Sequence, residues 1–190
     1  MLLLVGLGNP GSNFTNTRHN IGFKIIDAIN LNFKLSKQKP KFKGLLTTGN
    51  IESKKIYAIK PLTFMNNSGT AIKELIDYFK IDAKDVFVFH DDLDIDFGKI
   101  KAKFGGSSAG HNGIESIDKF IGKDYSRIRI GIGHPKEKKK VNNHVLEDFK
   151  EDEEEKIKEI TEIIVKLVPT LIEKKIDLFS SKVNQNLNGI

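Results

Sequence analysis

Residues 5–11 read VGLGNPG, and they follow the apolar residues 1–4, MLLL. A short run of large apolar residues that ends in glycines is typical of a buried strand entering a tight turn. The glycines at positions 6, 8 and 11 also have the Gly-x-Gly-x-x-Gly spacing of a dinucleotide-binding loop. The stretch predicts an α/β fold that begins with a strand, and it raises the question of what the turn serves.

The residues after this turn do not complete a dinucleotide site. Such a site needs a helix that opens at the third glycine and an acidic residue about 20 positions later, at the end of a second strand. Here residues 12–20, SNFTNTRHN, are mostly loop formers, the first apolar helical face begins near Ile21, and the candidate acid Asp27 falls inside that helix. Two other interpretations stay open: the glycines give a tight turn its backbone freedom, or the turn presents Asn9 to a site.

The composition is that of one soluble domain. The chain has 190 residues, of which 38% are hydrophobic and 29% charged, enough apolar surface for a sizeable core. Its apolar runs are far shorter than the roughly 20 residues of a membrane helix, and the apolar start is too short for a signal peptide. The absence of cysteine excludes a disulfide scaffold and thiolate chemistry. We expect a single domain over residues 1–190 and a cytoplasmic location.

The net charge of +6 is unevenly distributed. Basic runs occupy residues 34–43, 99–103 and 136–140, whereas acidic residues gather at 151–155. A basic body with one acidic patch is typical of a protein that binds an anionic partner such as nucleic acid. Solvated surface lysines are the alternative, and composition alone does not decide between the two.

Strands and helices are predicted to alternate along the chain. The strand candidates are residues 2–5, 45–50, 55–60, 86–90, 100–104 and 127–132, and the helix candidates are residues 21–30, 68–79, 112–121 and 152–174. This order predicts a three-layer α/β sandwich in which a twisted, mixed β-sheet is flanked by helices. The short connection between the second and third strand candidates favours a hairpin, so part of the sheet is expected to be antiparallel.

The last predicted helix carries one apolar stripe at helical spacing, which predicts packing onto the core. The stripe comprises Ile157, Ile160, Ile163, Ile164, Leu167, Val168, Leu171 and Ile172. Pro169 is expected to kink or interrupt this helix. Residues 180–190, SSKVNQNLNGI, are expected to form a loose tail.

Four polar stretches lie where predicted strands meet predicted helices. They are GNPG (8–11), TRHN (17–20), FMNNSG (64–69) with HDDLD (90–94), and GGSSAGHNG (105–113). In α/β folds these junctions form the binding crevice, and a His held by an Asp is a common general base. Helix caps and turns are the structural alternatives for the Asn and Asp residues. The sequence has neither Cys nor a Gly-x-Ser-x-Gly motif, so water is the simplest nucleophile. The histidine spacings typical of metal sites do not occur.

Taken together, these stretches resemble the bacterial-type peptidyl-tRNA hydrolases. The matching segments are VGLGNPG, TRHNIGF, KPLTFMNNSG, HDDLD, KFGGSSAGHNG and RIRIGIGHP, in this order between Val5 and Pro135. The resemblance implies hydrolysis of the ester that joins a peptide to the 3′-terminal ribose of tRNA, which frees the tRNA for reuse in translation. It further implies a monomer that needs neither cofactor, metal nor dinucleotide and has no membrane partner.

The resemblance also implies roles for individual residues. His19 corresponds to the catalytic base, Asp91 to the residue that steadies it, and Asn9 to the residue that distinguishes blocked from free aminoacyl groups. The residues expected to contact the tRNA-borne substrate are Phe14, Phe64, Asn66 and Asn112, and those expected to hold a tRNA phosphate are Lys103 and Arg129. The family usually has Tyr at Phe14, and SSA (107–109) replaces a glycine- and histidine-rich loop. The alternatives are a non-catalytic RNA-binding protein and a dinucleotide-dependent oxidoreductase.

Overall fold

The structure is a computed structural model that describes residues 1–135 and 141–189. A seven-stranded mixed sheet forms its centre, with the strand order β2-β3-β4-β1-β5-β7-β6. The strands are β1 (Leu2–Gly6), β2 (Lys39–Lys41), β3 (Gly44–Ile51), β4 (Lys54–Pro61), β5 (Val86–Asp92), β6 (Ile100–Phe104) and β7 (Ser126–Gly131). The helices are α1 (Ile21–Asn32), α2 (Ser68–Phe79), α3 (Asn112–Ile121), α4 (Val141–Leu146), α5 (Glu151–Ile172) and α6 (Ile176–Leu187).

The four central strands, β4, β1, β5 and β7, run parallel, and the outer strands β2–β3 and β6 pair antiparallel. This confirms the mixed sheet and the hairpin between β3 and β4. Because the carboxyl ends of parallel strands meet at one edge of the sheet, the loops that follow β1, β5 and β7 converge there.

Alternate side chains of the strands bury two separate apolar layers. Leu2 and Leu4 of β1 pack with α1, α5 and α6 on one face, whereas Leu3 and Val5 pack with α2 and α3 on the other. Such alternation follows from the two-residue period of a strand. The predicted three-layer α/β sandwich is therefore confirmed.

The glycines of the opening stretch serve close packing between β1 and α1. A Cβ atom at Gly6 would lie 2.2 Å from the carbonyl oxygen of Gly22, and one at Gly8 would lie 2.8 Å from the ring of Phe23. Two short 3₁₀ turns, Ser12–Phe14 and Arg18–Asn20, precede α1, so the helix does not open at the third glycine.

The C-terminal residues expected to form a loose tail instead form α6, and this prediction was wrong. Asn184 Oδ1 accepts the amide of Ile100 at 3.1 Å, and Ser180 Oγ accepts the amide of Ala102 at 3.3 Å. These polar side chains bond the backbone of β6 where a neighbouring strand would otherwise pair. α6 thereby covers the outer edge of β6.

The expected interruption at Pro169 was also wrong. α5 passes through Pro169 and ends three residues later at Ile172, with Ile160, Ile164 and Val168 fully buried along its apolar stripe. A proline in the last turn of a helix removes one backbone hydrogen bond, which does not have to end the helix. Among residues 1–135 and 141–189, no helix is long and apolar enough to cross a membrane.

Candidate active site

His19 and Asp91 form a buried pair at the carboxyl edge of the sheet. His19 lies in the 3₁₀ turn between β1 and α1, and Asp91 is the penultimate residue of β5. His19 Nδ1 lies 2.8 Å from Asp91 Oδ1 and 2.9 Å from Oδ2. An ionised carboxylate only accepts, so Nδ1 carries the hydrogen and donates it, which leaves Nε2 as the nitrogen that can take up a proton.

The two groups tune one another electrostatically. Burial by itself lowers the pKa of His19, but the charge of Asp91 and the hydrogen bond outweigh burial, so the pKa of His19 is raised above its ordinary 6.5. Burial by itself raises the pKa of Asp91, but the imidazoles of His19 and His111 outweigh it and hold the pKa well below 3.8. Asp91 therefore stays ionised at neutral pH and stabilises a positive charge on His19.

His111 is the second imidazole bound to Asp91, and the sequence reasoning gave it no role. Its Nδ1 accepts the amides of Gly113 and Ile114, at 3.1 and 3.3 Å, and so caps the N-terminus of α3. Nδ1 must then be the unprotonated nitrogen, and Nε2 donates to Asp91 Oδ1 at 3.0 Å. A cap position therefore fixes the tautomer of a residue in the site.

A cavity of about 270 Å³ opens beside this cluster. One wall is the loop that leads into α3, including Ser108, Ala109 and Asn112. The lining also includes the apolar side chains of Leu93 and of Val141 and Val145 in α4, together with the polar Asn142. The cavity thus combines a base, polar donors and apolar side chains.

The same cluster does not fit a metal ion. One ligand atom each from His19, Asp91 and His111 lies within 4.8 Å of the others. A metal-bound histidine normally donates its second N–H, whereas His111 Nδ1 accepts from two amides, so its Nε2 carries hydrogen rather than a free lone pair. A second His–Asp pair lines the same cavity: His134 Nε2 lies 2.8 Å from Asp94 Oδ1, and both side chains are exposed.

Asn9 is bonded to Asn20 and does not line the cavity of His19. The amide of Asn9 donates to Asn20 Oδ1 at 2.8 Å, and Asn20 Nδ2 returns a bond to the carbonyl of Asn9 at 2.9 Å. Asn9 Oδ1 accepts the amide of Met65 at 2.9 Å, so its Nδ2 is the group left to face a ligand. Asn9 and Asn20 border a second cavity of about 510 Å³.

The bond from Met65 brings the segment with Phe64 and Asn66 next to Asn9. Met65 is buried, whereas Phe64 is 61% exposed and Asn66 is exposed on either side of it. Asn67 occupies the N-cap position of α2 without a side-chain capping bond in the described structure, so helix capping does not explain these asparagines.

Comparison with known proteins decides the family. The peptidyl-tRNA hydrolase family model matches residues 3–189. The chain belongs to this family. It is 72% identical over 184 residues to a peptidyl-tRNA hydrolase of Pelagibacter ubique, covering 97% of this chain and 99% of the relative. It is 45% identical to the enzyme of Bartonella henselae, covering 100% and 98% of the two chains. The crystal structure of peptidyl-tRNA hydrolase from Acinetobacter baumannii superposes with a TM-score of 0.91 at 34% identity, covering 97% and 94%.

The residues to which the resemblance to peptidyl-tRNA hydrolases assigns roles do not all line one cavity. His19, Asp91 and Asn112 line one cavity, and Asn9 borders the next. Phe14 ends the first 3₁₀ turn and is half-buried.

Lys103 and Arg129 lie on the paired strands β6 and β7. Arg129 Nε donates to Asp92 Oδ2 at 2.7 Å, and Asp92 borders the cavity of His19. In the antiparallel pairing of β6 with β7, Lys103 lies opposite Arg127 and Lys101 lies opposite Arg129. Lys99 precedes β6 and donates to Asn188, the residue after α6, at 3.1 Å. The sequence analysis gave no individual role to Lys101, the residue that pairs with Arg129.

Proposed function

We propose that this chain hydrolyses the ester between a peptide, or an N-blocked amino acid, and the 3′-terminal ribose of tRNA, with His19 as the general base. The observation that carries the proposal is the His19–Asp91 pair at 2.8 Å, whose free imidazole nitrogen borders the 270 Å³ cavity. Membership of the peptidyl-tRNA hydrolase family supports the choice of substrate.

The reaction follows from these positions. His19 Nε2 removes a proton from a water molecule as the water oxygen attacks the ester carbonyl, and Asp91 stabilises the imidazolium that forms. The Asn112 side chain, at the positive N-terminus of α3, donates to the oxyanion of the tetrahedral intermediate, a contribution of about 3 kcal/mol for a well-placed donor. When the intermediate collapses, His19 returns the proton to the departing ribose oxygen, which yields a free peptide acid and a tRNA with an intact terminus.

Substrate recognition involves the groups around this centre. Asn9 Nδ2 donates to the extra carbonyl oxygen that a blocked aminoacyl group has and a free one lacks. Phe64 and Asn66, exposed beside it, contact the terminal nucleotide of the tRNA, with Phe64 stacking on its base. Phe14 lacks the hydroxyl of the family's usual Tyr, so it contributes by packing. Lys103 and Arg129 hold a backbone phosphate.

Residues 1–190 act as one domain, as a monomer in the cytoplasm, without metal, cofactor or dinucleotide. The cap that His111 provides to α3 supports the metal-free mechanism, because it occupies the nitrogen that a metal site would need protonated.

The decisive experiment is hydrolysis of N-acetyl-phenylalanyl-tRNA by the purified chain, before and after prolonged treatment with EDTA. We expect turnover that chelation leaves unchanged. His19→Ala should lower kcat by about 100-fold or more, the usual scale for a general base, while tRNA binding persists. His134→Ala, which removes an exposed histidine from the rim of the same cavity, serves as the control and should retain activity. Chelation that abolishes turnover, restored by a divalent ion, would refute the mechanism.

A further inference from the structure

Arg18, the residue before the base, is buried without taking part in the proposed chemistry. Only 2% of its surface is exposed. Burying a guanidinium is costly unless it is paired and hydrogen-bonded, so the partners of this residue indicate what the fold gains from it. They all belong to the segment that contains α4 and the start of α5.

The guanidinium of Arg18 holds this segment at three points. Its Nη1 atom donates to the carbonyl oxygens of His144 and Glu147, at 3.4 and 3.3 Å, and its Nη2 atom lies 2.6 Å from Glu153 Oε2. The ring of Phe149 lies 5.5 Å from the guanidinium carbon.

The main chain around Arg18 bonds the same segment. Its amide donates to the carbonyl of Glu147 at 3.0 Å, and the amide of Phe149 donates to the carbonyl of Asn16 at 3.3 Å. A β-bridge joins Thr17 to Asp148. The strand-like pairing and the guanidinium together fix the residues after α4 against the turn that contains His19.

Among the residues that the structure describes, α4 has few other contacts that hold it. None of its six residues is fully buried, Val145 packs against the core, and His144 Nε2 donates to the carbonyl of Ile132 at 3.3 Å. Yet Val141 and Val145 line the cavity beside His19, as its α4 wall. The position of that wall therefore depends largely on polar contacts, and the guanidinium supplies one to His144 of α4 and two to residues that follow α4.

We propose that Arg18 is a positioning residue that sets the α4 wall and thereby the affinity for the side chain of the amino acid esterified to tRNA. Val141 and Val145 in the cavity lining suit an apolar side chain of the substrate, and a displaced α4 loses contact with it. The proposal rests on the proposed function, because the wall is assigned to the acyl side of that ester. The contacts of the Arg18 side chain are with the segment of α4 and α5 and not with the imidazole of His19, so its loss is expected to affect binding and not the chemical step.

The test compares N-acetyl-phenylalanyl-tRNA with N-acetyl-glycyl-tRNA in steady-state assays. We expect Arg18→Gln to raise KM for the phenylalanyl substrate about tenfold, the lower end of what one apolar contact contributes to discrimination. KM for the glycyl substrate, kcat for both and the pH profile should stay within about twofold of the wild type. Glu153→Gln should change the phenylalanyl KM in the same direction but less, because the carbonyl contacts remain. Lys54→Gln, which removes a cation that bonds the carbonyl of Ile172 at the far end of α5, is the matched control and should change neither.

A double-mutant cycle separates positioning from general destabilisation. If Arg18 acts through the wall, Arg18→Gln should have little further effect on KM in a Val145→Ala background. Should Arg18→Gln melt below the assay temperature, Arg18→Lys and Glu153→Gln provide the same comparison.

Equal KM changes for both substrates, or a full effect that persists in Val145→Ala, would overturn the role of Arg18. Failure of the wild type to cleave either substrate would instead overturn the proposed function.

Discussion

The imidazole rings of His19 and His111 lie 4.9 Å apart, centroid to centroid, with the carboxylate of Asp91 bonded to both. The two rings are not equivalent. His111 Nδ1 accepts from α3, so His111 can only donate to Asp91, whereas His19 keeps Nε2 for the substrate. The carboxylate of Asp91 thus orients the base His19 and is itself held by His111, the residue that caps α3.

His111→Ala should slow the reaction less than His19→Ala does. Removing one hydrogen bond to a charged group costs about 1.5 kcal/mol, or about tenfold in kcat/KM. Asp91 then has one donor fewer, so it attracts a proton on His19 more strongly and the pKa of His19 rises further. The pH profile of kcat/KM measures this, and its midpoint should move to higher pH. A profile that stays in place would show that His111 only caps α3.

The pH dependence of the wild type follows from the raised pKa of His19. The base must be unprotonated, so kcat/KM should rise with pH through one ionisation whose midpoint lies above 6.5. In Asp91→Asn the opposing charge is gone and burial dominates, so the midpoint should move down while the plateau rate falls about 100-fold. A midpoint in Asp91→Asn at or above that of the wild type would contradict the electrostatic role of Asp91.

Asn9 should determine the preference for blocked substrates through Nδ2. Asn9→Asp keeps the oxygen that accepts from Met65 but removes the donor. We expect the ratio of kcat/KM for N-acetylated over free aminoacyl-tRNA to fall about tenfold, the cost of one lost hydrogen bond. Asn67→Asp adds the same charge at an exposed position nearby and should leave the ratio unchanged. Equal ratios in Asn9→Asp and the wild type would refute the assignment.

The sequence predicted the two layers, and the meeting of the polar turns at one edge of the sheet, because both depend on local patterns. The period-two alternation of residues 2–5 assigns each side chain of β1 to one of the two cores. The polar turns after β1 and β5 place His19 and Asp91 at one edge, as parallel strands require.

The features that the sequence did not predict depend on distant partners. The residues of α6 read as a tail because Ser180 and Asn184 are polar, yet they bond the edge of β6 about 80 residues away in sequence. Likewise, the sequence around His111 does not indicate that its Nδ1 caps α3. The contacts of Arg18 with Glu147 and Glu153 join residues more than 120 positions apart in sequence.

The last prediction concerns the phosphate contacts on β6 and β7. Lys101, Lys103 and Arg129 share one face of this strand pair, and Lys103 is diagonal to Arg129, within reach of long side chains. Lys103→Ala and Lys101→Ala should each raise KM for tRNA substrates and flatten the salt dependence of binding by about one ion. Arg129→Ala should do the same, but it also leaves Asp92 unpaired beside the cavity, which makes the two lysines the cleaner variants.

Lys99→Ala provides the matched control for this series. Lys99 belongs to the same basic run but bonds Asn188, just after α6, so the salt slope of this variant should equal that of the wild type. N-acetyl-phenylalanyl-adenosine, which lacks the tRNA body, should be cleaved equally well by all the lysine variants. If Lys103→Ala lost as much activity on this minimal ester as on the full substrate, the mutation would be damaging the fold or the catalytic centre, and the residue would have no role in holding phosphate.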